Sequence, residues 1–133
     1  MEIRSFQGSA WYRVELGPGA DLFGSLRDFL NKEGLREAYV VYCIGSLDRV
    51  VLAYPKTPPV PPEIERFTLE GLFEINVIAG ELRRQGSEIK VHLHGSVTRA
   101  GTEVSGGAIN EGTRVFKLAE LVIVGVKQAQ TLP

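Results

Sequence analysis

The sequence predicts an α+β fold: a mainly antiparallel sheet of seven or eight strands with one main helix packed on it. Three observations lead there. Asp21 to Lys32 is the one segment whose apolar residues recur at helical spacing. Short runs rich in β-branched and aromatic residues, broken by glycine-containing turns, fill the rest. Finally, 133 residues at 44% hydrophobic and 23% charged fit a single domain, 1–133, with enough apolar mass for a core.

Trp11 to Leu16 alternates and stops at Gly17-Pro18-Gly19, as a strand ending in a turn does. Leu22, Phe23, Leu26, Phe29 and Leu30 then form one helical stripe. Asp21 is placed to cap its start and Gly34 to close its end in the left-handed conformation. Ala38 to Ile44 reads as a strand broken by Gly45-Ser46, and Arg49 to Tyr54 as the next. Residues 55 to 62, PKTPPVPP, hold five of the seven prolines. Proline lacks a ladder donor, so this stretch is expected as an extended surface connector. Glu65 to Leu69 and Phe73 to Ala79 follow as strands separated by Glu70-Gly71. Gly86-Ser87 turns the chain into Ile89 to Val97, and Ala100-Gly101 into Glu103 to Ile109. Arg114 to Val126 closes the order as a long strand, its last part covered on both faces because it ceases to alternate.

Composition excludes several function classes. Lys and Arg number 15 against 16 Asp and Glu, so no global positive field draws in nucleic acid. A single cysteine, Cys43, rules out an intrachain disulfide framework and a cysteine-rich zinc site. Its apolar strand points to a buried, inert thiol. The N-terminal residues lack the apolar stretch of a signal peptide, and the longest apolar run, Leu121 to Val126, is of strand length. The expectation is a cytoplasmic protein with no membrane partner.

Val91-His92-Leu93-His94 carries the most chemistry. Side chains alternate along a strand, so both imidazoles face one side. They are the only two histidines present. Imidazole ligates zinc and the other divalent transition metals, yet a catalytic zinc takes three protein ligands. The plain alternative is a pair of half-buried polar residues bonded to their neighbours. Glu74 lies in the apolar run 72–79, where alternation sets it on the face opposite Phe73, Ile75 and Val77. Ser105 to Gly112 holds paired glycines that signal a bulge or a close backbone approach. No phosphate loop, dinucleotide fingerprint, nucleophile elbow or zinc-protease helix is present.

Taken in order, the pieces resemble the PPC (plants and prokaryotes conserved) domain, which is fused to AT-hooks in plant nuclear proteins and stands alone in prokaryotes. Cys43-Ile-Gly-Ser-Leu47, Glu70-Gly-Leu-Phe-Glu-Ile75, Ile78-Ala-Gly80, Val91-His-Leu-His94 and Gly106-Gly-Ala-Ile109 carry the likeness over most of the chain. The resemblance implies a homotrimer and, in some prokaryotic members, a metal held by three histidines. His92 and His94 match two of them, while the third position is Ala108, which cannot ligate. Glu74, Asn110, Cys43 or a neighbouring subunit are the candidate replacements. The plant members' AT-hook is absent, and Leu82-Arg83-Arg84-Gln85 holds only two cations between Glu81 and Glu88.

The resulting expectation is a stand-alone homotrimeric binding module. Its polar pocket, lined by His92, His94, Glu74 and Asn110, takes a small ligand or a weakly held metal such as zinc at His92 and His94. A DNA-binding or nucleic-acid-associated regulator ranks second and a metal-dependent enzyme third.

Overall fold

A computed structural model describes residues 1–58 and 60–127. Within them the chain runs β1 (Ser9–Leu16), α1 (Leu22–Lys32), β2 (Leu35–Pro55), β3 (Ile64–Gln85), β4 (Glu88–Arg99), β5 (Glu103–Ile109) and β6 (Arg114–Lys127). The strands form one antiparallel sheet of order β1-β6-β2-β3-β4-β5. A further pairing of Leu52 with Ile109 and of Ala53 with Ala108 joins β5 back to β2. The distal half of β2, with β3, β4 and β5, thus closes a barrel-like ring. The proximal half of β2 instead pairs with β6, and β6 with β1.

Six strands replace the predicted seven or eight, because two expected turns are bulges. Gly45-Ser46 does not end a strand: Gly45 stays paired with Ile75 and Ala119 while β2 runs on. A Cβ on Gly45 would stand 2.0 Å from the Leu118 carbonyl oxygen, so glycine is what lets β6 approach there. Glu70-Gly71 likewise lies inside β3. Arg49 pairs with Glu70 and Leu47 with Phe73, so the register slips and the strand continues. A third slip, between Ile75 and Val77, reverses the parity expected for Val77. Phe73 and Ile75 are buried on the face opposite Glu74, but Val77 is 49% exposed and Ile78 takes its place in the core.

The helix matches its sequence signals. Asp21 caps it by accepting from the Gly24 N–H at 2.7 Å, and Gly34 follows at φ 62°. Leu22, Phe23, Leu26 and Leu30 belong to the main core together with Leu35, Val40, Leu82, Leu93 and Leu121. The connector 56–63 is closed by the Lys56 N–H donating to the Glu63 carbonyl, and Pro59 of its proline run lies outside the described residues. Cys43 is buried, and burial pushes its thiol up to about 12. No described helix is long and apolar enough to cross a membrane.

Candidate functional site

Strand alternation turns Val91 and Leu93 inward and leaves His92 and His94 on the solvent side of β4. Their Nε2 atoms converge to 3.1 Å, with ring centroids 5.0 Å apart and planes nearly perpendicular. That is hydrogen-bonding distance, with the donor and acceptor roles set by the tautomers of the two rings.

Register supplies the rest of the site. Ala79 stands opposite His94 and Glu81 opposite His92, both on β3. On the other side of β4, Ala108 of β5 is the direct neighbour of His94. Tyr39 on β2 pairs with Glu81 and completes a hollow of about 360 Å³ lined by Tyr39, Ala79, Gly80, Glu81, His92 and His94. Gly80 is required here. At φ 155° it brings β3 so close to β4 that a Cβ would lie 2.0 Å from the His92 carbonyl oxygen.

An ionic network braces the wall. Arg83 donates to the Glu81 carboxylate at 3.0 Å and to the Tyr39 hydroxyl at 3.5 Å, and Tyr39 donates to Glu37 at 3.2 Å. Partial burial raises the Tyr39 pKa above its ordinary value, so the phenol stays protonated and remains a donor. Phe6 stacks on the Tyr39 ring at 5.2 Å and extends the apolar rim.

The two other expected site residues do not line this hollow. Glu74 sits opposite Thr98, four residues along β4 from His94, or roughly 13 Å at strand rise. Alternation gives the face of a side chain but not its place along the strand, hence the misplacement. Asn110 shapes a turn instead: its side chain accepts from the Glu111 N–H, and its carbonyl accepts from the buried Thr113 hydroxyl. Cys43 faces the core. The carboxylate that does stand beside the imidazoles, Glu81, was readable from the Gly86-Ser87 turn. Gln85 pairs with Glu88, and counting back equally along both arms brings Glu81 to His92.

The donor set fits a metal at two positions. Two imidazole nitrogens bound to one tetrahedral zinc at about 2.0–2.1 Å would stand roughly 3.3 Å apart, close to the separation found here. No group of three or more His, Cys, Asp or Glu placed for a metal occurs among the described residues. Ala108 holds the position beside His94 that the resemblance assigns to a third ligand, and Glu81 is engaged by Arg83.

A barrel-like antiparallel sheet with one helix on its inner side and an imidazole pair on its outer side defines a small α+β domain with a strand-borne binding hollow. The chain belongs to the Plants and Prokaryotes Conserved (PCC) domain family, whose model matches residues 3–127. It is similar to a plant- and prokaryote-conserved protein of Pyrococcus horikoshii, with a TM-score of 0.81 and 23% identity over 98% of this chain and 87% of that one. A metal-containing protein of Archaeoglobus fulgidus matches at TM-score 0.80 and 22% identity, covering 96% and 86%. A Bacteroides thetaiotaomicron protein whose name proposes DNA binding matches at 0.75 and 18%, covering 90% and 80%. At these identities the likenesses establish the fold. The chain is also 28% identical over 112 residues to the bifunctional protein GlmU of Synechococcus sp. (strain JA-2-3B'a(2-13)). That match takes in 84% of this chain and spans only 16% of the relative's length.

Proposed function

We propose that this PCC domain is a homotrimeric binding module whose His92–His94 hollow takes a small ligand or a divalent transition metal. The convergence of the two Nε2 atoms at 3.1 Å in an open hollow carries the reading. In the metal version, His92 and His94 are the protein ligands. A metal held there would supply Lewis acidity toward water or an anionic ligand. The Glu81 carboxylate at the wall would accept from a ligand held there, while the Tyr39 hydroxyl, whose proton goes to Glu37, braces that wall. Two ligands instead of three imply weak, exchangeable binding, so the site suits capture better than catalysis.

Assembly is supported by the bare side of the sheet. Val41, Ile44 and Val77 are 50%, 43% and 49% exposed on β2 and β3, and soluble chains normally cover such strand residues. Zinc or copper titration followed by isothermal calorimetry tests the site. Saturable, stoichiometric binding lost in His92→Ala and His94→Ala supports the metal version, and heat unchanged by either variant ends it. A solution mass of one chain ends the trimer.

Nucleic-acid association is the second reading, favoured by the name of the Bacteroides neighbour. The charge balance of 15 cations to 16 anions opposes it, and many arginines are already in ion pairs. A low-salt gel shift without retardation would remove it.

A further inference from the structure

A second hollow of about 410 Å³ lies on the same side of the sheet, away from the histidines, against the β4–β5 turn. Its backbone is the row Lys117–Ser46–Glu74–Thr98 across β6, β2, β3 and β4. Two of these residues are spent locally. The Ser46 hydroxyl accepts from the Lys117 N–H at 3.2 Å, and the Thr98 hydroxyl exchanges hydrogen bonds with Asn76 at 2.8 and 3.0 Å.

The charged pair is different. Glu74 and Lys117 line the hollow with opposite charges, yet neither is in an ion pair among the described residues. Ser46 stands between them, so their backbones are two strand spacings, or about 10 Å, apart. Elsewhere on this surface carboxylates are commonly matched, as in Arg49–Glu70 and Arg114–Asp48.

The apolar surfaces are held in place. Leu72 and Phe116 are 60% and 44% exposed at the hollow, and Phe73 forms its buried base. The Arg99 guanidinium lies 5.3 Å over the Phe73 ring, donates to Glu103 at 3.1 Å and reaches the Glu70 carbonyl at 3.4 Å. Arg99 thereby clamps the turn that forms the wall. That turn holds Ala100 at φ 53°, a left-handed conformation that a residue with a Cβ rarely adopts, followed by Gly101 at φ 74°.

The geometry points to a binding site for a free α-amino acid with an apolar side chain. Its ammonium meets Glu74, its carboxylate meets Lys117, and its side chain lies on Leu72 and Phe116. A phosphate or dicarboxylate would face the Glu74 charge with one cation to offset it. A simple cation would face Lys117. A zwitterion satisfies both, and the volume is at the lower end of the ~300–1,000 Å³ of small-molecule sites. This site is independent of the histidine hollow.

The test is a titration of the intact chain with L-phenylalanine and L-leucine, read by amide chemical shifts and calorimetry. Saturable binding is expected, with shifts confined to the segments around 46, 72–74, 98–101 and 116–117. Glu74→Gln and Lys117→Gln should each weaken it about tenfold or more, consistent with losing a charge-assisted contact. His92→Ala should leave it unchanged. Phenethylamine and phenylacetate, each lacking one charge, should bind at least as weakly as the variants allow. Absence of saturable shifts, equal binding of the one-charge analogues, or indifference to both substitutions would overturn the assignment. Both residues are exposed, so the variants are expected to fold, and the wild-type melting temperature verifies it.

Discussion

The inner and outer sides of this sheet are made from the same strands but solve opposite problems. On β2, Leu35, Ala38, Val40 and Cys43 point inward and are at most 2% exposed, covered by α1 and the opposite strands. Val41, Tyr42 and Ile44 of the same strand stand open at 50%, 38% and 43%. The inward set is uniform and closed. The outer side mixes apolar residues with the imidazole pair, the Glu81–Arg83–Tyr39 network, and Glu74 and Lys117, which are in no ion pair among the described residues. Burial stabilises the first side within one chain, whereas the second has surface to give to another molecule. Chemistry accordingly gathers where the chain has not consumed its own surface.

Substitutions can break or sharpen that contrast. The largest effect is expected where the two sides meet: Gly80→Ala forces a Cβ against the His92 carbonyl at a φ that disfavours it. Strain and overpacking together should cost about 2–6 kcal/mol, read by urea denaturation, and a near-neutral result would mean β3 and β4 do not pack so closely. Leu26→Ala removes a fully buried helix side chain and should cost about 2–5 kcal/mol by the same measurement. Val77→Glu on the outer side should do the reverse. It should leave the stability of an isolated chain within about 1 kcal/mol while lowering the solution mass, as seen by light scattering. Equal damage from Leu26→Ala and Val77→Glu would erase the contrast.

Asp21→Ala should cost about 1 kcal/mol, because the Gly24 N–H loses its acceptor. The smallest effect, absent at neutral pH, concerns Cys43. Its pKa rises from 9.0 to about 12 on folding, because burial disfavours the thiolate. The thiol's contribution is therefore fully present below pH 9 and lost as pH rises from there toward 12, since the unfolded thiol ionises first. Cys43→Ala should flatten that alkaline decline in a pH series of melts, and the native thiol should resist alkylation at neutral pH.

Local signals were legible wherever the physics is local. The cap at Asp21, the stripe through Leu22, Leu26 and Leu30, and the reversal at Gly34 needed only neighbouring residues. Strand β5 also fell on its predicted span, from Glu103 to Ile109, because turn chemistry bounds it. The shared face of His92 and His94 followed from alternation. Their partners did not: Glu74 was set beside them on parity alone, although it lies farther along the sheet. Bulges at Gly45, Gly71 and Asn76 resemble strand ends in sequence, since glycine or a broken alternation marks both a turn and a bulge. Cross-strand pairing decides between the two.

What the amino-acid order determined by itself is the helix, the alternating strands and the orientation of the imidazole pair, all set by backbone periods a few residues long. Which strands lie side by side, and so which groups face those rings, was decided by the tertiary structure. Leu52 meets Ile109 and Tyr39 meets Val124 only after the sheet has curled upon itself. Those pairings join residues far apart in the chain, and their energy comes from the shared burial of the whole core.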